Sequence, residues 1–354
     1  MTSLSRADAE NEPKRVTIRD VAREAGVGTK TVSRVINHEP NVAPSTAERV
    51  HAAILHLQWE PDALASNLRR VHSRTKSIGL LLGSVGNPFA ATINRAIEDV
   101  ATEHGVAVLA SSLDEDPARE VASVENFLRR KVDGLILTCS AGNQRYLEGL
   151  VPEKVPVVFI DREPYGYRAD VVVSDNVGGS ALGTRHLLSR GHRRIAGLFD
   201  RPGIWTASQR KIGFLQAMEE FAVSPSSYRT VDDVTTPEAA EATVIALLSA
   251  PEPPTAIFSS QNLITTGAVR ALRKLGRQHQ VALVGFDDIE LADLLEPGVT
   301  VIAQRPSEIG TLAAQRIFEQ LKRRADHETL PPADLVLPVD LIVRGSGEIE
   351  PLQS

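Results

Sequence analysis

Thr29, Lys30, Ser33 and Arg34 lie within six residues of one another in the stretch TIRDVAREAGVGTKTVSRVIN, residues 17–37. At helical spacing they fall on one face, opposite Val32, Val35 and Ile36. Hydroxyls, an ammonium and a guanidinium are donors suited to base edges and phosphate oxygens. A second set sits where apolar runs end: Asn87, Pro88 and Phe89, Asp114, Asp161 with Arg162, Gln261 with Asn262, Asp287 and Gln304, with Arg210 at the start of a helical stretch. Carboxylates, amides and a guanidinium around an aromatic ring suit a polyhydroxylated ligand, which needs paired hydrogen bonds to vicinal hydroxyls and a flat apolar face. The competing reading for any one of them is a helix cap or an ion pair between lobes.

The first set needs short helices to present it. Thr17 followed by Asp20 is a capping-box start, and Val21, Ala22 and Ala25 form an apolar stripe. Gly26 is placed to end this helix, and a second begins after Gly28. A third helix from about Pro44 supplies Val50, Ala53, Ile54 and Leu57 to a three-helix core. Two short helices joined by a tight turn make a helix-turn-helix.

Charge separates the same region from the rest. Residues 13–77 hold eleven Lys or Arg against six Asp or Glu, a balance of +5, and since the whole chain carries -6 the remainder carries -11. A basic module on an acidic body fits a protein that approaches phosphates at one end. With 354 residues and 42% hydrophobic content the chain can build more than one sizeable core. No apolar run reaches the roughly 18 residues that would cross a bilayer. The opening MTSLSRADAENE has no apolar signal region, so residues 1–15 are expected to be a disordered tail on a cytoplasmic protein. The single cysteine, Cys139, excludes an internal disulfide and is expected to be a core thiol.

Residues 61–70, PDALASNLRR, form a short helix-prone segment between the basic module and the first strand of the body. Together with VTIRDVAREAGVGTKTVSRVIN and VAPSTAERVHAAILHL, it makes the chain resemble the lactose-repressor (LacI/GalR) family over nearly its full length. That resemblance implies a helix-turn-helix domain over 16–60, a hinge helix and linker over 61–76 and an effector-binding, dimerising body over 77–345, with a tail over 346–354. It makes Thr29, Lys30 and Arg34 readers of base edges in the major groove, and Thr17, Thr31, Ser33 and Asn37 phosphate contacts. Leu68 matches the hinge leucine wedged into the minor groove, with Ala65 beside it. Gly28 stands where the family usually has Ser.

From Ser77 the pattern alternates short apolar runs with amphipathic helices. SIGLLL, VAVLA, GLILT and VPVVFI read as one set of buried parallel strands, and RIAGLF, TAIFSS, VALVGF and TVIA as another. The fold class is therefore α/β, with two doubly wound parallel sheets in a bilobal body resembling periplasmic binding proteins. The resemblance adds three crossings between lobes, giving a first lobe of about 77–174 and 306–333 and a second of about 175–304 and 334–345. It also puts Asp161, Arg210, Asp287 and Gln304 at effector-contact positions. With Phe89, Asp114, Arg162, Trp205, Gln261 and Asn262, these make up the candidate effector set, read as suiting a sugar, polyol or nucleoside. Asn262 replaces the aspartate usual after its strand.

Enzymatic readings lack a motif. GLLLGSVGNP does not have the glycine spacing to cradle a pyrophosphate, and no nucleophile elbow is present. His192, after a helix-ending glycine, reads as a cation at a helix C-terminus rather than a catalytic base. The expected protein is a repressor, not an enzyme, with no cofactor and no metal. Its expected partners are a palindromic double-stranded operator, a small effector and a second copy of itself. The end, GEIEPLQS, carries no leucine heptads, so a dimer is expected rather than a tetramer. The alternatives are a regulator controlled by a phosphoprotein co-repressor and a free-standing solute-binding protein.

Overall fold

The structure, a computed structural model, describes residues 16–36, 40, 42–59, 75–140, 142–326, 328 and 331–351. The expected N-terminal tail and hinge helix, with Asn37, Ala65 and Leu68, lie outside these residues. The chain forms two compact units divided after residue 73.

The first unit holds α1 (Ile18–Glu24), α2 (Thr29–Ile36) and α3 (Pro44–His56). Thr17 starts α1, its backbone N–H and its hydroxyl both donating to the Asp20 carboxylate, at 3.0 and 2.7 Å. Gly26, with φ +63°, takes the left-handed conformation that ends α1 without a Cβ clash. Val21, Ala22, Ala25, Val32, Val35, Val50 and Ala53 are buried together, with Ile36, Ile54 and Leu57 partly buried against them. Each fully buried valine contributes roughly 1.5 kcal/mol, so this small core depends on every one of them.

The second unit contains two six-stranded sheets among the described residues. The first comprises β1 (Ser77–Leu82), β2 (Ala107–Ser112), β3 (Gly134–Leu137), β4 (Val157–Ile160), β5 (Asp170–Ser174) and, near the C-terminus, a strand over Asp334–Leu337. Helices α4 (Pro88–Glu103), α5 (Pro117–Arg129) and α6 (Tyr146–Leu150) connect its first strands. After α7 (Asn176–Ser189) the pattern repeats with β6 (Ile195–Leu198), α8 (Trp205–Glu220), β7 (Arg229–Val231), α9 (Pro237–Leu248), β8 (Ala256–Ser259), α10 (Asn262–Lys274), β9 (Ala282–Phe286) and β10 (Thr300–Ala303). The chain then makes α11 (Pro306–Ala325), β11 (Asp334–Leu337) and β12 (Asp340–Ile342). Strand orders are β11-β5-β4-β3-β1-β2 and β12-β10-β9-β8-β6-β7, the same topology twice. Only the β10–β12 pair is antiparallel among the named strand pairs.

Strand residues are apolar on consecutive positions because both sheet faces are covered. Leu80, Ile136 and Val158 pack under α4 and α11, and Leu81, Leu137 and Phe159 pack on the opposite face. In the second sheet Phe258 and Val284 face one cluster, and Ile257 and Leu283 the other. Helices α7 and α8 touch so closely at Gly213 that a Cβ there would lie 2.2 Å from the Val177 carbonyl oxygen.

Two expectations change at the C-terminus. Residues 334–337, placed from the sequence in the second lobe, pair in parallel with β5 in the first sheet, and the crossing follows Leu337. Ser346 and Gly347, expected to begin a tail, are buried: Ser346 Oγ donates to Leu283 O at 2.6 Å and accepts from Thr300 N at 2.9 Å. The segment closes over the second sheet because those backbone groups need partners. His192 is also different from its sequence reading. It is buried, Nε2 lies 2.7 Å from Ile349 O and Nδ1 2.9 Å from Thr255 Oγ1, and burial lowers its pKa, favouring the neutral ring over a cation. Cys139 is a buried core thiol whose pKa burial pushes up to about 12.

Candidate functional site

In the first unit Thr29 and Lys30 are exposed at the start of α2, and Thr31, Ser33 and Arg34 are half-buried. Arg34 Nη2 donates to Pro40 O at 3.1 Å, which ties one nitrogen of the guanidinium to the loop after α2. Val32 and Val35 hold the opposite face of α2 in the core, so the donor face is set by packing.

In the body, the carboxyl ends of both sheets open into a cleft of about 460 Å³ including its mouth. Its walls carry Asn87, Phe89, Asp161 and Arg162 from the first lobe and Arg210, Gln261, Asn262, Asp287 and Gln304 from the second. Eight of the ten effector candidates therefore meet in one place. Asp114 does not. It follows β2, the edge strand of its sheet, where it is exposed and pairs with Arg119. Trp205 does not line the cleft either: at the first position of α8, it packs against the first-lobe cluster containing Leu81 and Phe159. Asp200, Thr206, Ala207 and Ser260 line the cleft without having been singled out from the sequence. Asp200 had a legible signal, since it ends the run RIAGLF much as Asp161 ends VPVVFI.

Buried charges hold the walls. Arg162 grips Glu115 with both Nη atoms, at 2.8 and 2.7 Å, and donates to Cys139 O at 3.0 Å. Burial opposes its charge, but Glu115 and Asp161 more than offset this and raise its pKa above the ordinary guanidinium value. Arg210 Nε donates to Asn176 Oδ1 at 2.7 Å and Nη1 to Ser260 O at 2.7 Å, with Asp287 Oδ2 at 3.7 Å. Its guanidinium lies 3.9 Å above the Phe286 ring centroid. Burial lowers the Arg210 pKa, partly offset by Asp287 and Asp161. Burial raises the pKa of Asp161 against the pull of Arg162 and Arg210, and that of Asp200 against the Arg201 amide. Across the cleft, Asn262 Nδ2 donates to Asn87 Oδ1 at 2.9 Å and Asn87 Nδ2 to Asn262 Oδ1 at 3.3 Å.

A helix-turn-helix unit and a separate two-lobed body with a polar cleft define a DNA-binding regulator with a ligand-sensing domain. Residues 17–62 match the lacI family of bacterial regulatory proteins, and residues 184–347 match the periplasmic binding protein-like domain. The ribose operon repressor of Escherichia coli (strain K12) is 33% identical over 336 residues, 94% of this chain and 99% of that protein. The lac repressor dimer solved with operator and the anti-inducer ONPF superposes with a TM-score of 0.82 at 26% identity, covering 94% of this chain and 99% of that one. The transcriptional regulator CelR in complex with cellobiose gives a TM-score of 0.66 at 29% identity, covering 94% and 100%. The chain belongs to the lacI family of bacterial regulatory proteins, and it is a sequence-specific DNA-binding transcriptional regulator of the repressor class. Among the described residues no helix is long and apolar enough to cross a membrane.

Proposed function

We propose that this repressor releases or grips its operator in response to a sugar, polyol or nucleoside held between the lobes by Asp161, Arg210, Asp287 and Gln304, with Phe89 under the ring. The observation that carries the reading is the convergence of strand-end carboxylates from two separate sheets, Asp161 and Asp287, on one cleft. Ligands of doubly wound sheets sit at the carboxyl ends of the strands. A ligand touching both lobes changes their equilibrium through differential affinity for open and closed forms. The names of similar proteins, a ribose operon repressor and a cellobiose complex, point to the same ligand class.

On the DNA side, Thr29, Lys30 and Arg34 read base edges, Thr17, Thr31, Ser33 and Asn37 hold phosphates, and Leu68 with Ala65 enters the minor groove. The working form is a cytoplasmic homodimer on a palindromic operator, as the two-fold relation between half-sites requires. Fluorescence anisotropy on an operator selected from random duplexes, repeated with D-ribose, cellobiose and other sugars, tests both halves. The expected outcome is nanomolar operator binding whose strength changes with at least one sugar. Lys30→Ala and Arg34→Ala each cost about 1–3 kcal/mol on that operator and little on scrambled DNA. Equal loss on both duplexes removes the base-reading assignment.

A further inference from the structure

The chain enters the body at Thr75, the first residue of that unit described by the structure, and it is anchored there. Thr75 N donates to Asp133 Oδ1 at 3.1 Å, and Thr75 Oγ1 donates to Lys131 O at 2.8 Å. The entry point is thereby tied to the turn that joins α5 to β3. That turn begins with three cations in a row, Arg129, Arg130 and Lys131, and Lys76 directly follows Thr75. Lys76, Arg130 and Lys131 are exposed and make no ion pair among the described residues. Arg129 faces Glu125 at 3.6 Å. The other carboxylates where β1, β2 and β3 start are Asp133, which accepts from Thr75 N, and Glu103 at the end of α4. The run of cations also extends back along the sequence, since RRVHSRTK over 69–76 holds Arg69, Arg70, Arg74 and Lys76.

The strands of the first sheet all run parallel, so their starts share one edge and their ends the other. The end edge, which carries the cleft, leads into Asp114, Glu115, Asp116, Asp161 and Asp175. Outside residues 13–77 the chain carries -11, yet unpaired cations gather at the edge where it arrives from the DNA-binding unit. Lys131, just past α5, has φ +58°, and Lys76 has φ +52°. At the same position after α1, α4, α7 and α10 stand Gly26, Gly105, Gly191 and Gly276, with Gln58 and Ala222 after α3 and α8. The turn itself favours glycine there, so the lysine is kept against a backbone cost.

We propose that Lys76, Arg130 and Lys131 form a second DNA contact, carried by the body rather than by the helix-turn-helix, that binds the phosphate backbone of the same duplex without regard to sequence. Phosphate contacts add affinity by releasing counterions and carry no sequence information.

The test measures binding of the full chain by fluorescence anisotropy to an operator selected from random duplexes and to a scrambled duplex, from about 50 to 200 mM salt. Lys76→Gln/Arg130→Gln/Lys131→Gln is expected to bind both duplexes on the order of a hundredfold more weakly at low salt, with the slope of log K against log salt reduced by about 2–3. Arg145→Gln removes an exposed charge after β3, at the opposite edge of the sheet, and is expected to leave affinity and slope unchanged. Lys131→Gly separates charge from fold: its melting temperature by circular dichroism is expected to be no lower than the parent's while the slope falls by about 0.9, and Lys131→Arg keeps the parent slope. An unchanged slope in the triple variant overturns the contact. A loss confined to the operator overturns it too, because the cations then act through the sequence-reading segments, and so does an equal drop in Arg145→Gln, which makes net charge the cause. Should the triple variant not fold, Lys131→Gly and Lys76→Gln decide by the same slopes.

Discussion

Asp161 and Asp287 occupy the same position in the two halves of the body. Each follows the strand third in its sheet order, β4 or β9, each has a positive φ, 68° and 70°, and each backbone N–H donates to the adjacent strand, to Val172 O at 3.0 Å and Ile302 O at 2.9 Å. A left-handed backbone costs a residue with a Cβ about 1 kcal/mol or more, although Asp tolerates it better than most. Glycine would remove that strain, so the carboxylates answer to something other than the turn. Asp161→Gly is expected to keep stability within about 1 kcal/mol of the parent, strain relief offsetting glycine's entropy, whereas Asp287→Gly also leaves the buried Arg210 without its carboxylate and is expected to cost about 3–5 kcal/mol. Both are expected to lose the rise in melting temperature that a binding sugar gives the parent. Thermal denaturation with and without saturating sugar reads both quantities, and a full ligand shift in both variants rules out these carboxylates as ligand contacts.

Arg210, one of the residues proposed to hold the ligand, is also part of the wall. It is buried, bonded to Asn176 and Ser260 O and stacked on Phe286. Arg210→Ala leaves Asp287 without its guanidinium and is expected to lower stability by about 3–5 kcal/mol. Gln304→Ala removes one partner of Asp287 at the half-exposed rim and is expected to fold normally. Its signature is unchanged operator affinity in the absence of sugar together with a weakened response to sugar. A melting temperature for Arg210→Ala equal to the parent's contradicts the wall assignment.

The helix-turn-helix and the strands were readable because each has a local signature. Gly26 ends α1 where a left-handed residue is needed, and both sheets run on unbroken apolar segments such as SIGLLL and VALVGF. The edge elements were harder. β7 is three residues with no apolar periodicity, and β11, DLVL, falls in the stretch that the sequence reading placed in the second lobe rather than beside β5. Cleft residues at strand ends were legible for the same reason as the strands. Ser260, at the end of TAIFSS, falls under that rule too, but Thr206 and Ala207 do not, since what brings them to the cleft is the approach of α8, and no local pattern encodes that distance. Asp114 obeyed the strand-end rule and still missed the cleft, because the rule ignores whether a strand is central or at an edge.

His192 gives the body a pH dependence whose sign follows from its burial. Its bond to Ile349 O needs a proton on Nε2, and Nδ1 is then free to accept from the Thr255 hydroxyl, so the neutral ring satisfies both partners. Burial lowers its pKa below the ordinary 6.5, and Arg193 adds to the effect. The unfolded chain therefore takes up the proton first as pH falls. The stability from His192 is complete above the unfolded value and is lost as pH drops through the folded one. Asp161 and Asp200, with raised values, act in the opposite sense: their contribution is complete below the ordinary carboxylate range and lost as pH rises through the folded values. Comparing His192→Gln with the parent between pH 7.5 and 5.5 separates the two. The parent is expected to lose up to about 1.4 kcal/mol per pH unit more than the variant over the His window. Parallel curves for the two proteins refute the assignment.

Asn87 and Asn262 join the lobes through a reciprocal pair of amide hydrogen bonds, one residue at the N-cap of α4 and the other opening α10. An aspartate at position 262 could accept from Asn87 but could not return the second bond when ionised. Removing one amide strands its partner in a half-buried wall, which costs about 1–3 kcal/mol, whereas removing both strands nothing. Asn87→Ala and Asn262→Ala are therefore each expected to weaken sugar binding, and the double variant to be no weaker than the worse single. The coupling energy from that cycle is expected to fall at about 0.5–1.5 kcal/mol. Because both residues sit on the closing faces of the lobes, the singles are also expected to raise the radius of gyration of the ligand-free protein in small-angle scattering. Additive losses with unchanged dimensions reduce the pair to two independent ligand contacts and remove the link between the lobes.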